Sequence, residues 1–172
     1  MVSIMMQIFD NLSQVQYSEL MDVYEESNIL AGLENYPGED KYTSRMLAEQ
    51  DYYQYLSQVF FHISGSYLVV WMEQGRYISA LRLEPYQDGL LIAGIETAPA
   101  YRRRGYARRL LTETVSCFTD QRHAILYAHI FKDNKASISL HETCGFCKFA
   151  DKATFLDGTM STQAYTYYFP IR

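Results

Sequence analysis

The chain has 172 residues, of which 48% are hydrophobic and 20% charged, and its net charge is −5. That balance excludes a disordered or fibrous chain and supplies enough apolar surface for a core without metal or disulfide support, so residues 1–172 read as one domain. The N-terminus lacks the basic region, apolar core and cleavage site of a secretory leader, and no apolar run has the length of a membrane span. The expectation is a cytoplasmic protein with no membrane partner.

The first strand is predicted over Ser3–Ile8. Residues 14–31 then read as a helix with Leu20, Val23, Tyr24, Ile29 and Leu30 as a broken apolar stripe and Gly32 as its stop. The Pro-Gly pair in Asn35–Asp40 marks a loop, and a second helix follows from about Thr43 to His62 before Ser64-Gly65-Ser66 breaks it. This region is rich in rings, among them Tyr36, Tyr42, Tyr52, Tyr53, Tyr55 and Phe60-Phe61. Such clusters more often bury area than bind ligands. Tyr67–Met72 and Arg76–Leu83 are β-rich, with Glu73-Gln74-Gly75 as a hairpin turn and Pro85–Gly89 as the next turn.

Leu90–Ile95 is an apolar run of buried-strand length, ended at Pro99. Arg102-Arg103-Arg104-Gly105-Tyr106-Ala107 follows, and then Ala107, Leu110, Leu111, Val115 and Phe118 recur at helical spacing. A strand, a basic glycine turn and a helix start form an anion site. The first helical N–H groups lack partners within the helix, and they lie at the positive end of its dipole. Gly105 allows close approach to the backbone, and the arginines add charge-assisted donors. Five arginines fall within residues 102–109, and without them the remaining chain would carry −10. A nucleic-acid binder spreads its basic residues over a face. Here the positive charge is focused on one turn, which favours a small polyanion, and the acidic remainder would attract a cationic partner.

His123–Phe131 reads as a further buried strand with Ile125, Tyr127, His129 and Phe131 on one face and Leu126, Ala128 and Ile130 on the other. Asp133-Asn134 can cap a following helix that runs to Cys144-Gly145-Phe146, and Gln163–Phe169 supplies a last strand. Cys144 and Cys147 form a C-x-x-C, but no second pair or histidine pair completes a zinc set, so no metal is expected.

Arg102-x-x-Gly105-x-Ala107 between a strand and a Leu110-Leu111 helix resembles the acyl-CoA signature of the GNAT superfamily of N-acetyltransferases. Asn134, Ser137, Leu140-His141-Glu142 and Gly145-Phe146 resemble its second motif, in the correct order. The resemblance spans residues 89–146. It implies an α/β (mixed α+β) fold with a twisted, mostly antiparallel sheet of six or seven strands flanked by helices. It also implies acetyl transfer from acetyl-CoA to a primary amine of a small molecule or peptide, without a metal, a membrane or nucleic acid, in a monomer or homodimer.

On this resemblance, Ile95, Glu96 and Thr97 hold the thioester arm. Arg102, Arg103, Arg104, Gly105, Tyr106, Ala107 and Arg108 wrap the pyrophosphate, and Asn134, Ser137 and His141 line the second motif. His141 stands where many members carry the tyrosine credited with protonating the departing thiolate, and histidine can donate a proton near neutrality. His129 lies five residues before Asn134, where a ribosomal-protein acetyltransferase branch carries a glutamate base. A histidine there can accept the amine proton, and Glu96 is a third catalytic candidate. The altered tyrosine position leaves a non-catalytic acyl-CoA-binding module as the alternative.

Overall fold

The computed structural model describes residues 4–120 and 124–170, so Ser3 and His123, assigned above to strands, lie outside the described residues. The strands are β1 (Ile4–Phe9), β2 (Tyr67–Glu73), β3 (Arg76–Tyr86), β4 (Gly89–Thr97), β5 (Ile125–Phe131), β6 (Cys147–Ala150), β7 (Ala153–Thr154), β8 (Met160–Ser161) and β9 (Ala164–Phe169). The α-helices are α1 (Tyr17–Val23), α2 (Glu25–Asn35), α3 (Lys41–Gln58), α4 (Tyr106–Val115) and α5 (Lys135–Thr143). Seven strands form one sheet in the order β1-β2-β3-β4-β5-β9-β6, and β7 pairs with β8 in a separate small ribbon. Within the large sheet β4–β5 is parallel and every other pairing antiparallel.

Alternation along the strands divides the core into two layers. Leu110, Leu111 and Val115 of α4 pack on Val69, Leu81, Leu83, Ile92, Leu126 and Ala128, on the face that Phe146 after α5 also joins. The opposite side chains, Leu68, Val70, Tyr77 and Ala80, meet Leu20 and Val23 of α1 and Leu56 of α3. Each fully buried leucine contributes about 1.5–3 kcal/mol of hydrophobic free energy. The result is a mixed α+β fold with a seven-stranded, mostly antiparallel sheet flanked by five helices, in keeping with the helix-flanked sheet of six or seven strands that the resemblance implies.

Three local outcomes differ from the sequence reading. The single helix over residues 14–31 is two helices that meet at Tyr24, whose buried ring sends its hydroxyl to the Gly94 carbonyl at 2.6 Å. Gly32 is not a stop: α2 runs through it to Asn35 because α3 crosses there so closely that a Cβ would sit 2.4 Å from the Ser44 carbonyl oxygen. Pro85 belongs to β3 rather than to the turn, paired with Leu90. The last β2 partner, Tyr67, pairs with Leu83, so the missing proline N–H breaks no β2–β3 rung. Elsewhere local chemistry held. Asp40 caps α3 by accepting from the N–H groups of Tyr42 and Thr43, and Gln74-Gly75 make the β2–β3 turn with φ values of 52° and 80°.

Candidate active site

The site begins where β4 and β5 separate. Their parallel pairing runs from Gly89–Ile125 to Ile92–Ala128 and stops there, although β4 continues to Thr97 and β5 to Phe131. On its other edge β4 carries a bulge: Gly94 and Ile95 together oppose Leu81 between the Arg82–Ala93 and Ala80–Glu96 pairs. Gly94 takes φ +59°, and a Cβ there would stand 3.2 Å from the Arg82 guanidinium, so both backbone and space ask for glycine. Beyond Ile92 the β5-facing backbone of β4 has no strand partner among the described residues. It borders a channel of about 180 Å³ lined by Ile95, His129, Asn134, Ser137 and His141.

At the α4 end this channel meets a cleft of about 580 Å³ lined by Ile95, Glu96, Thr97, Arg102, Arg103, Tyr106, Ala107 and Asn134, with Glu26, Ser27 and Leu30 of α2 opposite. The loop reaches the helix through two left-handed residues, Arg103 at φ +62° and Gly105 at φ +81°. The first helical bond runs from the Arg109 N–H to the Gly105 carbonyl, which leaves the N–H groups of Tyr106, Ala107 and Arg108 without helical acceptors. Arg102 donates to the Thr97 carbonyl at 3.1 Å and to Glu26. Among the described residues, Arg104, Gly105 and Arg108 do not line the cleft, and the Arg104 guanidinium lies 5.7 Å from the Tyr101 ring centre.

On the opposite face of the sheet a groove of about 450 Å³ is bordered by Glu84, Leu91, Ala93, His129, Phe155 and Asp157. Glu84 is buried, accepts from the Tyr55 hydroxyl at 2.8 Å and lies 3.5 Å from Arg82 Nε. Arg82 in turn sits over Tyr52 and Tyr55, 5.5 Å from each ring centre. Tyr52 and Tyr55 are therefore committed to holding this ion pair. Two donations from Thr159 hold the exposed Asp157 carboxyl below its usual range.

Burial tunes the titrating groups. It pushes the Glu96 carboxyl up, against the Ser27 hydroxyl, which donates to it and pulls the other way. It pushes both His129 and His141 down, towards the neutral imidazole. His141 Nδ1 lies 2.8 Å from the Ser137 carbonyl, which can only accept, so Nδ1 carries the proton and Nε2, buried and without a partner among the described residues, carries the lone pair. His129 borders both channel and groove, whereas Glu96 borders the cleft and His141 the channel.

A family model described as the acetyltransferase (GNAT) family matches residues 21–146. The chain belongs to that family. No curated protein sequence matches it significantly. Among solved structures it is similar to the ribosomal-protein-S18-alanine N-acetyltransferase of Escherichia coli, with a TM-score of 0.61 at 16% identity over 97% of this chain and 94% of that one. It is also similar to the spermidine N-acetyltransferase of Vibrio cholerae in complex with CoA and spermine, with a TM-score of 0.61 at 16% identity, covering 96% and 94%. The PaiA N-acetyltransferase of Thermoplasma acidophilum in complex with coenzyme A gives a TM-score of 0.64 at 11% identity, covering 96% and 98%. At these identities the likeness carries the fold.

In this GNAT chain Ile95, Glu96, Thr97, Arg102, Arg103, Tyr106, Ala107, Asn134, Ser137 and His141 border one path, from the α4 loop through the channel to α5, whereas Arg104, Gly105 and Arg108 are not in its lining. What the motifs did not name is the α2 wall of the cleft and nearly all of the groove. Gly94 inside an apolar strand is the one signal that marked a bulge. Glu84 and Tyr86 of β3 and Phe155–Asp157 of the β7–β8 turn carried none, because they come from two elements distant in the chain. Among the described residues no group of three or more His, Cys, Asp or Glu is placed to hold a metal ion, and no helix is long and apolar enough to cross a membrane.

Proposed function

We propose that this GNAT chain, acting as one domain over residues 1–172 in the cytoplasm, moves an acetyl group from acetyl-CoA to a primary amine of a small molecule or peptide. The observation that carries this reading is His129. Its ring borders both the channel that leads to the basic helix start and the groove on the opposite face. The acceptors named for the spermidine and ribosomal-protein-alanine acetyltransferases are amines, which supports an amine here.

The residues present fit the cosubstrate. The free N–H groups of Tyr106, Ala107 and Arg108, with Arg102 and Arg103, would hold the pyrophosphate, and the unpaired edge of β4 would bond the amide-bearing arm. Acetyl-CoA supplies the activated thioester. Backbone amides around Ile95–Thr97 would supply donors to a carbonyl oxygen gaining charge. An alkylammonium has a pKa of about 10.4 and cannot attack until it loses a proton. The exposed Asp157 carboxylate of the groove favours the cation's entry, Glu84 being held by Arg82 and Tyr55, and neutral His129 accepts the proton.

His141 enters with its Nδ1 proton committed to Ser137, so it can return a proton to the departing sulfur only after Nε2 has taken one up. Glu96, its carboxyl pushed up by burial and accepting from the Ser27 hydroxyl, acts on the cleft side, away from the groove. The test is release of free thiol from acetyl-CoA against a panel of polyamines, amino acids, aminoglycosides and N-terminal peptides. Amine-dependent release is expected. Binding of acetyl-CoA by calorimetry without release for any amine would overturn transfer in favour of an acyl-CoA-binding module.

A further inference from the structure

One hydroxyl behind His129 does more than pack. Tyr86, at the end of β3, has a single proton and two lone pairs. Its oxygen lies 2.8 Å from the Thr154 carbonyl, which can only accept, so the tyrosine proton is spent there. Gln87 Nε2 donates to the same oxygen at 3.3 Å. The remaining neighbour is His129 Nε2, also at 3.3 Å. With no proton left to offer, Tyr86 can only accept from it, and the ring is the Nε2–H tautomer. The other nitrogen, Nδ1, is then the bare one, and it is buried without a partner among the described residues.

We propose that Tyr86 is a positioning residue for His129: its hydroxyl, locked onto the Thr154 carbonyl, fixes the imidazole as the Nε2–H tautomer and so places the proton-accepting lone pair on Nδ1. This rests on the reading of His129 as the base for an amine. The proton balance is simple. The proton of the substrate ammonium passes to the buried Nδ1 through one bridging water, leaving a neutral amine, while the imidazolium keeps Nε2–H on Tyr86 and its new charge faces the Asp157 carboxylate across the groove. The ring is held from two more sides, edge-on to Tyr86 at 5.1 Å between centres and to Phe155 at 5.5 Å. An unset ring would divide between two tautomers, only one of which presents a lone pair at Nδ1. The charged and titratable groups around the ring are Tyr86 and the Arg82–Glu84 pair from β3, Asp157 from the β7–β8 turn, Tyr127 of the same strand and His141 across the channel.

Tyr86→Phe tests this, because the ring stays and only the hydroxyl goes. With [¹⁵N]histidine label, the His129 resonances are identified by their loss in His129→Gln. At pH 8 the full chain is expected to show a protonated Nε2 and a bare Nδ1, and Tyr86→Phe to show a mixture. In parallel, kcat/KM for the amine should fall about tenfold, a part of the 10²- to 10⁴-fold that a general base supplies, and the acid limb of its pH profile should move. The acetyl-CoA-induced thermal shift should stay as in the parent chain. Simple loosening of the β7–β8 ribbon would instead raise the amine KM and leave tautomer and pH limb unmoved, which would overturn the proposal. So would an Nδ1–H ring in the parent chain, a result that needs no folded variant. Tautomer control without any amine-dependent thiol release would uphold the tyrosine's hold on the ring and overturn the amine-transfer reading instead.

Discussion

The cleft at the start of α4 and the groove on the opposite face are built in contrasting ways. The cleft is made of contiguous chain: a strand end, a basic loop with two left-handed residues and the first turn of a helix, whose recognition groups are backbone N–H donors. The groove is assembled from β3, β4, β5 and the β7–β8 turn, and its recognition groups are side chains: the Asp157 carboxylate, Glu84 paired with Arg82, and an imidazole. A ligand such as a pyrophosphate can be met by any sequence that takes the right backbone path. A variable acceptor has to be met by side chains, which distant elements can exchange without disturbing the sheet. His129 borders the groove and the channel that leads from it to the cleft.

If that division holds, substitutions on one side should leave the other side's readout intact, and the largest effect falls on His129. His129→Gln should lower kcat/KM for the amine by about 10²- to 10⁴-fold while the acetyl-CoA-induced stabilisation persists. Stopped assays showing a loss of less than about fivefold would move the base to Glu96 or to water. Next comes Gly105→Glu. Acetyl-CoA at one hundred times its Kd should add about 2.7 kcal/mol to the parent chain. At this chain length that raises Tm by roughly 5–11 °C in a thermal melt. The variant should show no rise, because a carboxylate replaces an anion site and a side chain is forced to φ +81°.

Gly32→Ala probes the α2 wall shared by neither motif. Its Cβ meets the Ser44 backbone, so about 1–3 kcal/mol of stability should be lost by denaturant titration. A neutral result would mean that α2 and α3 can part freely. The smallest effect is on pH. Burial lowers the pKa of His129 and His141, so between their folded values and the unfolded value near 6.5 the unfolded chain binds more protons. Stability should therefore fall as pH drops below about 6.5, by at most about 1.4 kcal/mol per pH unit for each histidine. His141→Phe should remove its share of that slope, read from melts between pH 7.5 and 5.5.

By itself the sequence determined the parts in which neighbours in the chain are neighbours in space. The alternation of Leu126, Ala128 and Ile130 against Tyr127 and His129, the apolar stripe of Leu110, Leu111 and Val115, the Asn134 cap and the glycine at the α4 start are local regularities, and each appears where its pattern placed it. Only the tertiary structure decided what depends on elements meeting. Gly32 read as a helix stop because glycine disfavours helix, and the closeness of α3 outweighed that preference. The end of β4–β5 pairing at Ile92, the burial that holds both histidines neutral, and the hydroxyl of Tyr86 against His129 across 43 residues of chain have no local signature. A proton's place on an imidazole is set by whichever acceptor the fold brings within hydrogen-bond reach, and that partner is chosen by packing rather than by sequence distance.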